Sequence, residues 1–212
     1  MGEETHQVLS RKDREREWRR ADILKAAERV FVRDGWATKI ESIAKEAEYA
    51  VGSIYNFFPS KDDLFKEVLV SISEQRVAAL DDVLGRIAGD PWGGLDEVVR
   101  FWLDHHREHG DFLHIAMAQR QRCGQGLLPA DDPAEKRVVG NADAYRAKLS
   151  DYFASLRGIS GVRALPAETM SVAFEGVVRT SLFRACRRDG GNVDWNRLAK
   201  SVTEMLRQLF SA

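Results

Sequence analysis

Cysteine is scarce in this chain: Cys123 and Cys186 are the two in 212 residues, and no C-x-x-C spacing joins them. That excludes a disulfide framework and the usual structural zinc site, and it fits a reducing compartment. No stretch approaches the roughly 18 consecutive apolar residues of a membrane-spanning helix, so no membrane partner is expected. The opening MGEETHQVLSRKDRERE has no apolar segment, which argues against a secretory signal peptide. His6 stands where myristoylation favours Ser or Thr after Gly2. Charge of one sign is missing as well. The formal net charge is −1, so the chain as a whole carries no basic signature of nucleic-acid binding. Period-two alternation bounded by turns is almost absent, which leaves little room for strands. There is no internal repeat, no nucleophile elbow, no Gly-rich phosphate loop, no paired-carboxylate site and no HExxH. The expectation is a soluble cytoplasmic protein that is not an enzyme and has neither cofactor nor metal.

What is present is helical. Apolar residues make up 44% and charged residues 31%, the profile of a folded soluble chain. Ile23, Ala26, Ala27, Val30 and Phe31 recur at helical spacing within 18–34, and Gly35 closes that segment. Thr38 can cap a short second helix, with Glu41 completing a capping box, and Ile40, Ile43, Ala44 and Ala47 form its buried face. A third short helix spans about 51–57 and ends before Pro59. Ser60 caps a long helix running to near Gly89, with Asp62 and Asp63 at the positive end of its dipole. Further helices read at about 94–109, 111–123, 134–157, 166–188 and 194–211, with a break at Gly110. The fold class is all-α with about nine helices.

Residues 38–61 hold the most specific pattern. Two short helices joined by a few residues and supported by a preceding helix describe a helix-turn-helix. A helix that enters the DNA major groove, about 12 Å wide, needs small residues on its exposed face, and Gly52 and Ser53 are small. Tyr55, Asn56 and Lys61 can reach phosphate oxygens, and the N-termini of the short helices add backbone donors. Beside this stands an ordinary three-helix packing unit with Tyr55 half buried.

The stretch GWATKIESIAKEAEYAVGSIYNFFPSKDDLF resembles the N-terminal signature of the TetR family of bacterial transcriptional regulators. The shared positions are Phe31, Gly35, Thr38, Ile43, Ala44, Gly52, Ser53, Ile54, Tyr55, Phe58, Ser60, Lys61 and Leu64, within roughly residues 19–69. The resemblance implies a three-helix helix-turn-helix DNA-binding domain over 1–60 and a helical bundle for ligand binding and dimerisation over 61–212. It implies that Thr38 and Lys39 start the supporting helix near the DNA backbone. It further implies that Val51, Gly52 and Ser53 face base edges, while Tyr55 and Lys61 grip phosphate. The chain departs from the family between the two helices, where Gly-Val-Ser is common and Glu48, Tyr49 and Ala50 stand. Glu48 loses the easy left-handed geometry of glycine. Ala50 cannot cap as Ser or Thr would, a loss of about 1 kcal/mol.

RKDREREWRR, residues 11–20, reads either as a solvated helical extension with pairs such as Glu15–Arg19 or as a basic arm on DNA. The helices within 166–211 present broad apolar faces, with Ala173 and Gly176 permitting close approach, and by the resemblance form a homodimer interface. His105, His106, His109 and His114 cluster within ten positions. They are satisfied or solvated histidines, a polar lining to a small-molecule pocket, or, since His105 and His109 share a face, part of a metal site that no third ligand completes. For an effector pocket, Trp102, Phe112, Met117, Tyr145, Tyr152 and Phe174 can supply apolar walls, and His105, His109, His114 and Gln121 polar groups. The expected function is a ligand-responsive transcriptional regulator, more often a repressor. It would bind a double-stranded DNA operator as a dimer and be released by a small-molecule effector whose binding shifts helices flanking Gly110. The alternative is a helical small-molecule-binding or adaptor protein without specific DNA binding.

Overall fold

The computed structural model describes residues 10–123, 132–190 and 192–212, with the side chains of 120–123 outside that description. Among these residues eight helices follow one another: α1 (Arg11–Asp34), α2 (Ile40–Ala47), α3 (Val51–Phe57), α4 (Lys61–Ile87), α5 (Leu95–Cys123), α6 (Pro133–Ser155), α7 (Ala167–Asp189) and α8 (Trp195–Phe210). The sole extended pairing among the described residues is an isolated bridge between Val162 and Ser211. The all-α expectation holds. The expected ninth helix does not exist, because α5 runs unbroken through Gly110. A glycine inside a helix costs about 1 kcal/mol, and burial of Leu103 before it and of Phe112 and Ala116 after it on the same helix outweighs that. The expected break at Gly110 is therefore absent.

The chain divides into two compact units. The first comprises Met1–Ser71 with Asp111–Glu135, and the second Ile72–Gly110 with Lys136–Ala212. In the first, α1 buries Ile23, Ala26, Ala27, Val30 and Phe31, and α2 buries Ile40, Ile43, Ala44 and Ala47. Phe31 meets Phe65 edge-on at 5.1 Å between centroids and Phe112 at 6.0 Å, and Trp36 meets Phe65 at 4.8 Å. Gly35 ends α1 at φ 72°, and its N–H donates to the Phe31 carbonyl at 2.9 Å. Ser60 caps α4 as expected, its Oγ accepting from the Asp63 N–H at 3.0 Å.

The expected capping box at Thr38 does not form. The N-cap of α2 is Lys39, which makes no side-chain cap bond, and Thr38 is buried with an unpartnered Oγ1. One residue of shift moves the hydroxyl from the helix end into the protein. The turn between α2 and α3 shows both sequence departures at work. Glu48 adopts φ 60°, ψ 33°, the left-handed conformation. Ala50 leaves the start of α3 without a side-chain cap.

The second unit packs α4 (from Ile72), α5 (to Gly110), α6 (from Lys136), α7 and α8 around Leu80, Val99, Phe153, Phe174, Val178, Val202, Leu206 and Phe210. Phe153 sits 5.6 Å from Phe174 and 5.7 Å from Phe210.

Because a non-glycine residue pays for the left-handed turn, Glu48→Gly is expected to stabilise the protein by roughly 0.5–1 kcal/mol, the strain relieved less the added unfolded-chain entropy. Equilibrium urea denaturation reads this as a higher midpoint at unchanged slope.

Candidate nucleic-acid interface

Helix α3 is held by its inner face and open on its outer one. Ile54 and Phe58 are fully buried. Gly52, Tyr55 and Asn56, at i, i+3 and i+4, lie on the opposite, exposed face. Tyr55 is 48% exposed, a large apolar ring left outside. Gly52 has no neighbour that explains it: a Cβ built there meets nothing within 4 Å, and its φ is not left-handed. Neither packing nor backbone geometry within the chain requires glycine at this position.

Val51 and Ser53 are half-buried beside it, and Lys39 is exposed at the start of α2. Thr38 differs from the expectation of a backbone-facing side chain, being 7% exposed and turned inward. Lys61 is also engaged internally. Its Nζ donates to the Trp36 carbonyl at 2.8 Å and the Thr38 carbonyl at 3.1 Å, and sits 4.9 Å from the centre of the Trp36 ring. An ammonium has three donors, so one is left for a partner outside the chain.

Residues 11–20 are helical, forming the first turns of α1. Ser10 caps them and Glu15 pairs with Arg19, the solvated extension expected from the sequence. Their position adds what the sequence did not show. A groove of about 620 Å³ is lined by Lys12, Asp13, Glu15, Arg16 and Arg19 of α1 together with Ser53, Asn56 and Phe57. Arg16 stands 5.9 Å over the Phe57 ring, and Arg20 pairs with Glu67 while lying over Phe58. Trp18, in the same turns of α1, is 66% exposed.

The residues proposed for an effector pocket separate. Trp102, His105, His109, Tyr145, Tyr152 and Phe174 belong to the second unit. Phe112 belongs to the first, packed on Phe31 and Phe65, and His114 and Met117 are exposed there. Gln121's side chain lies outside the described residues. Tyr152 is spoken for, its hydroxyl donating to the Pro91 carbonyl at 2.8 Å. His109 is 4% exposed, with its ring 4.9 Å from that of His105. Burial, then the neighbouring charges of His109 and Arg76, hold the His105 pKa down to about 3. Burial raises the Tyr145 hydroxyl well above its ordinary value, with Glu175 adding and Arg76 and Trp102 opposing. Among the described residues, no group of three or more His, Cys, Asp or Glu side chains is placed to hold a metal ion. No helix among them is long and apolar enough to cross a membrane.

A short helix with an open outer face, set by a turn on a supporting helix, defines a helix-turn-helix protein. Residues 23–68 match the family model for bacterial regulatory proteins of the tetR family. The chain is 31% identical over 109 residues to the HTH-type transcriptional repressor NicS of Pseudomonas putida, a match covering 50% of each protein. The chain spans half or less of the length of the curated relatives it matches. Its fold is similar to that of a TetR-family transcriptional regulator from Mesorhizobium loti, with TM-score 0.73 and 18% identity over 96% of this chain and all of that one. A transcriptional regulator from Saccharomonospora viridis, in complex with choline, aligns with TM-score 0.71 and 15% identity over 92% of this chain and 99% of that one. Residues 23–68 are thus similar to the helix-turn-helix segment of the tetR family of bacterial regulatory proteins, and the fold of the chain is similar to that of TetR-family structures.

Two expectations follow. Gly52→Ala should stabilise the fold by about 1 kcal/mol, since alanine is the better helix former and the space is open, yet weaken specific DNA binding; a melting curve and a gel shift on the same sample read both. The second concerns His105. Its folded pKa lies below the unfolded value of about 6.5, so the unfolded chain binds the extra proton between those limits. Stability is therefore lost as the pH falls from about 6.5 toward 3. His105→Gln should flatten the fall in melting temperature between pH 7 and pH 5.

Proposed function

We propose that this protein is a ligand-responsive repressor of transcription that binds a pseudo-palindromic operator as a homodimer and leaves it when a small molecule occupies the second unit. The observation that carries the reading is the outer face of α3, where an unexplained glycine lies between exposed polar and aromatic side chains. A major-groove helix needs such a surface, because only small residues let its axis approach the base edges. In this reading Val51, Gly52 and Ser53 read bases and Tyr55 and Asn56 hold phosphates. Lys39 contacts the DNA backbone, and Lys61 uses its remaining donor on phosphate. Thr38 acts by position, placing its carbonyl under Lys61. Lys12 and Arg16 add cations beside α3, in a groove that Asp13 and Glu15 also line and where Arg19 is paired with Glu15.

Dimerisation follows from what α7 and α8 leave uncovered. Val172 and Phe183 on α7 and Met205 and Leu209 on α8 are exposed apolar side chains, 67%, 60%, 41% and 41% respectively. A second copy is the occupant a two-fold operator demands, with half-sites about one helical turn apart. Val202 is not part of that face, being fully buried within the chain. The setting is cytoplasmic, where such a regulator meets DNA. NicS is described as a repressor and the Saccharomonospora viridis regulator holds choline; repression and effector control are carried to this chain as parts of the proposal.

The test is a gel shift with DNA from upstream of this protein's own coding sequence, at two salt concentrations. The wild type should bind as a dimer, with affinity falling as salt rises. Lys61→Ala should reduce the magnitude of the salt slope by about one. Met205→Asp should leave a folded monomer by sedimentation, with affinity reduced at least about tenfold, because the coupling of two half-sites is lost. Absence of any salt-dependent DNA complex from the folded wild-type dimer overturns the reading.

A further inference from the structure

The second unit holds a half-buried cation, Arg76, that forms no ion pair among the described residues. Arg76, on α4, has an Nε that is fully buried and without a hydrogen-bond partner. Its guanidinium carbon lies 4.5 Å from the centre of the Tyr145 ring on α6, and no carboxylate among the described residues stands within ion-pair distance of it. Glu175 on α7 acts on Arg76 through its charge alone, and Arg146 on α6 opposes it. The hydroxyl of Tyr145 is itself buried, and no group among the described residues accepts its proton. Arg76 is only half-buried, so part of its guanidinium reaches solvent, but the enclosed Nε–H has no acceptor, which costs stability until one meets it. Stacking on an aromatic ring offsets only part of that cost and satisfies no N–H.

These unmet groups converge. Arg76 offers donors, Tyr145 offers a hydroxyl proton, and His105 on α5, close enough to feel the charge of Arg76, is a neutral imidazole. A groove of about 460 Å³ opens at His105, lined also by Gln75, Ala79, Val83, Phe101 and His109, with Arg76 and Tyr145 outside its lining. Its outer edge carries Asp82, Asp104 and Glu108, all exposed and screened by solvent, and Glu97, paired with Arg86. We propose that Arg76, Tyr145 and His105 form a receptor for the carboxylate of a small organic acid, whose apolar body lies toward the groove. An acid carboxylate is planar and accepts two bonds, the shape that a guanidinium recognises best. As an effector site it rests on the regulator reading above; as a binding site it stands alone.

The experiment measures melting temperature and calorimetric affinity with sodium benzoate and sodium octanoate. Benzamide and octanamide serve as neutral counterparts and choline chloride as a cation. At least one acid should raise the wild-type melting temperature by roughly 3–6 °C at ten times its Kd, and the amides and choline should not. Arg76→Met should melt at or above the wild-type temperature without acid, because a half-buried charge with an unsatisfied N–H is gone, and should lose the acid-induced rise. Tyr145→Phe should weaken acid binding at least fivefold. Failure of both acids, equal binding of the amides, binding of choline alone, or an undiminished rise in Arg76→Met overturns the proposal. If Arg76→Met fails to fold, Tyr145→Phe decides, and unchanged acid affinity there overturns it. DNA binding is read separately by gel shift. Acid binding without DNA binding removes the regulator reading and leaves the receptor, and the reverse removes the receptor alone.

Discussion

Phe31 is the residue on which the N-terminal unit closes. It is fully buried, and its ring meets Trp36, Phe65 and Phe112, so that α1, the segment after it, α4 and α5 share one aromatic cluster. Each such ring contributes roughly 1.5–3 kcal/mol through burial, and the edge-on contacts add to that. The cluster fixes Trp36, and Trp36 carries Lys61 over its face. Lys61 then binds the carbonyls of Trp36 and Thr38 and so holds the entrance to α2. α2 in turn sets the turn from which α3 projects. An outward-facing recognition surface thus depends on an inward-facing phenylalanine at the end of another helix.

The helix-turn-helix was legible because its constraints are local. Apolar spacing fixed the inner faces of α1 and α2, Gly35 and Ser60 marked real helix ends, and the odd residues Glu48 and Ala50 occupy the odd backbone positions. Local reading failed where tertiary packing outweighed propensity. Gly110 looked like a break, but buried apolar residues on both sides of it carry the helix through. Thr38 looked like a cap because its type suits one, yet burial claims its side chain.

The effector region was much less legible. Aromatic and histidine side chains at 102–121 read as one cluster in sequence, but they divide between two units, since a helix as long as α5 serves different cores along its length. Arg76 has no signature in the sequence, because an arginine on an amphipathic helix ordinarily extends to water. Its significance lies in the missing counter-charge, which is a property of three-dimensional neighbours and has no trace in spacing.

Trp18 carries a consequence of another kind. It stands in open solvent one position from Arg19 and two from Arg16, on the turns of α1 that border the groove beside α3, while Tyr145 and the rings around Phe31 are enclosed. The other tryptophans, Trp36, Trp92, Trp102 and Trp195, are half-buried, so Trp18 is the one most open to a soluble quencher such as iodide. Any partner seated against that end of α1 shields it. The molecule carries a native optical probe on the very edge of its outward face, so engagement there can be followed by light, in real time and without a label.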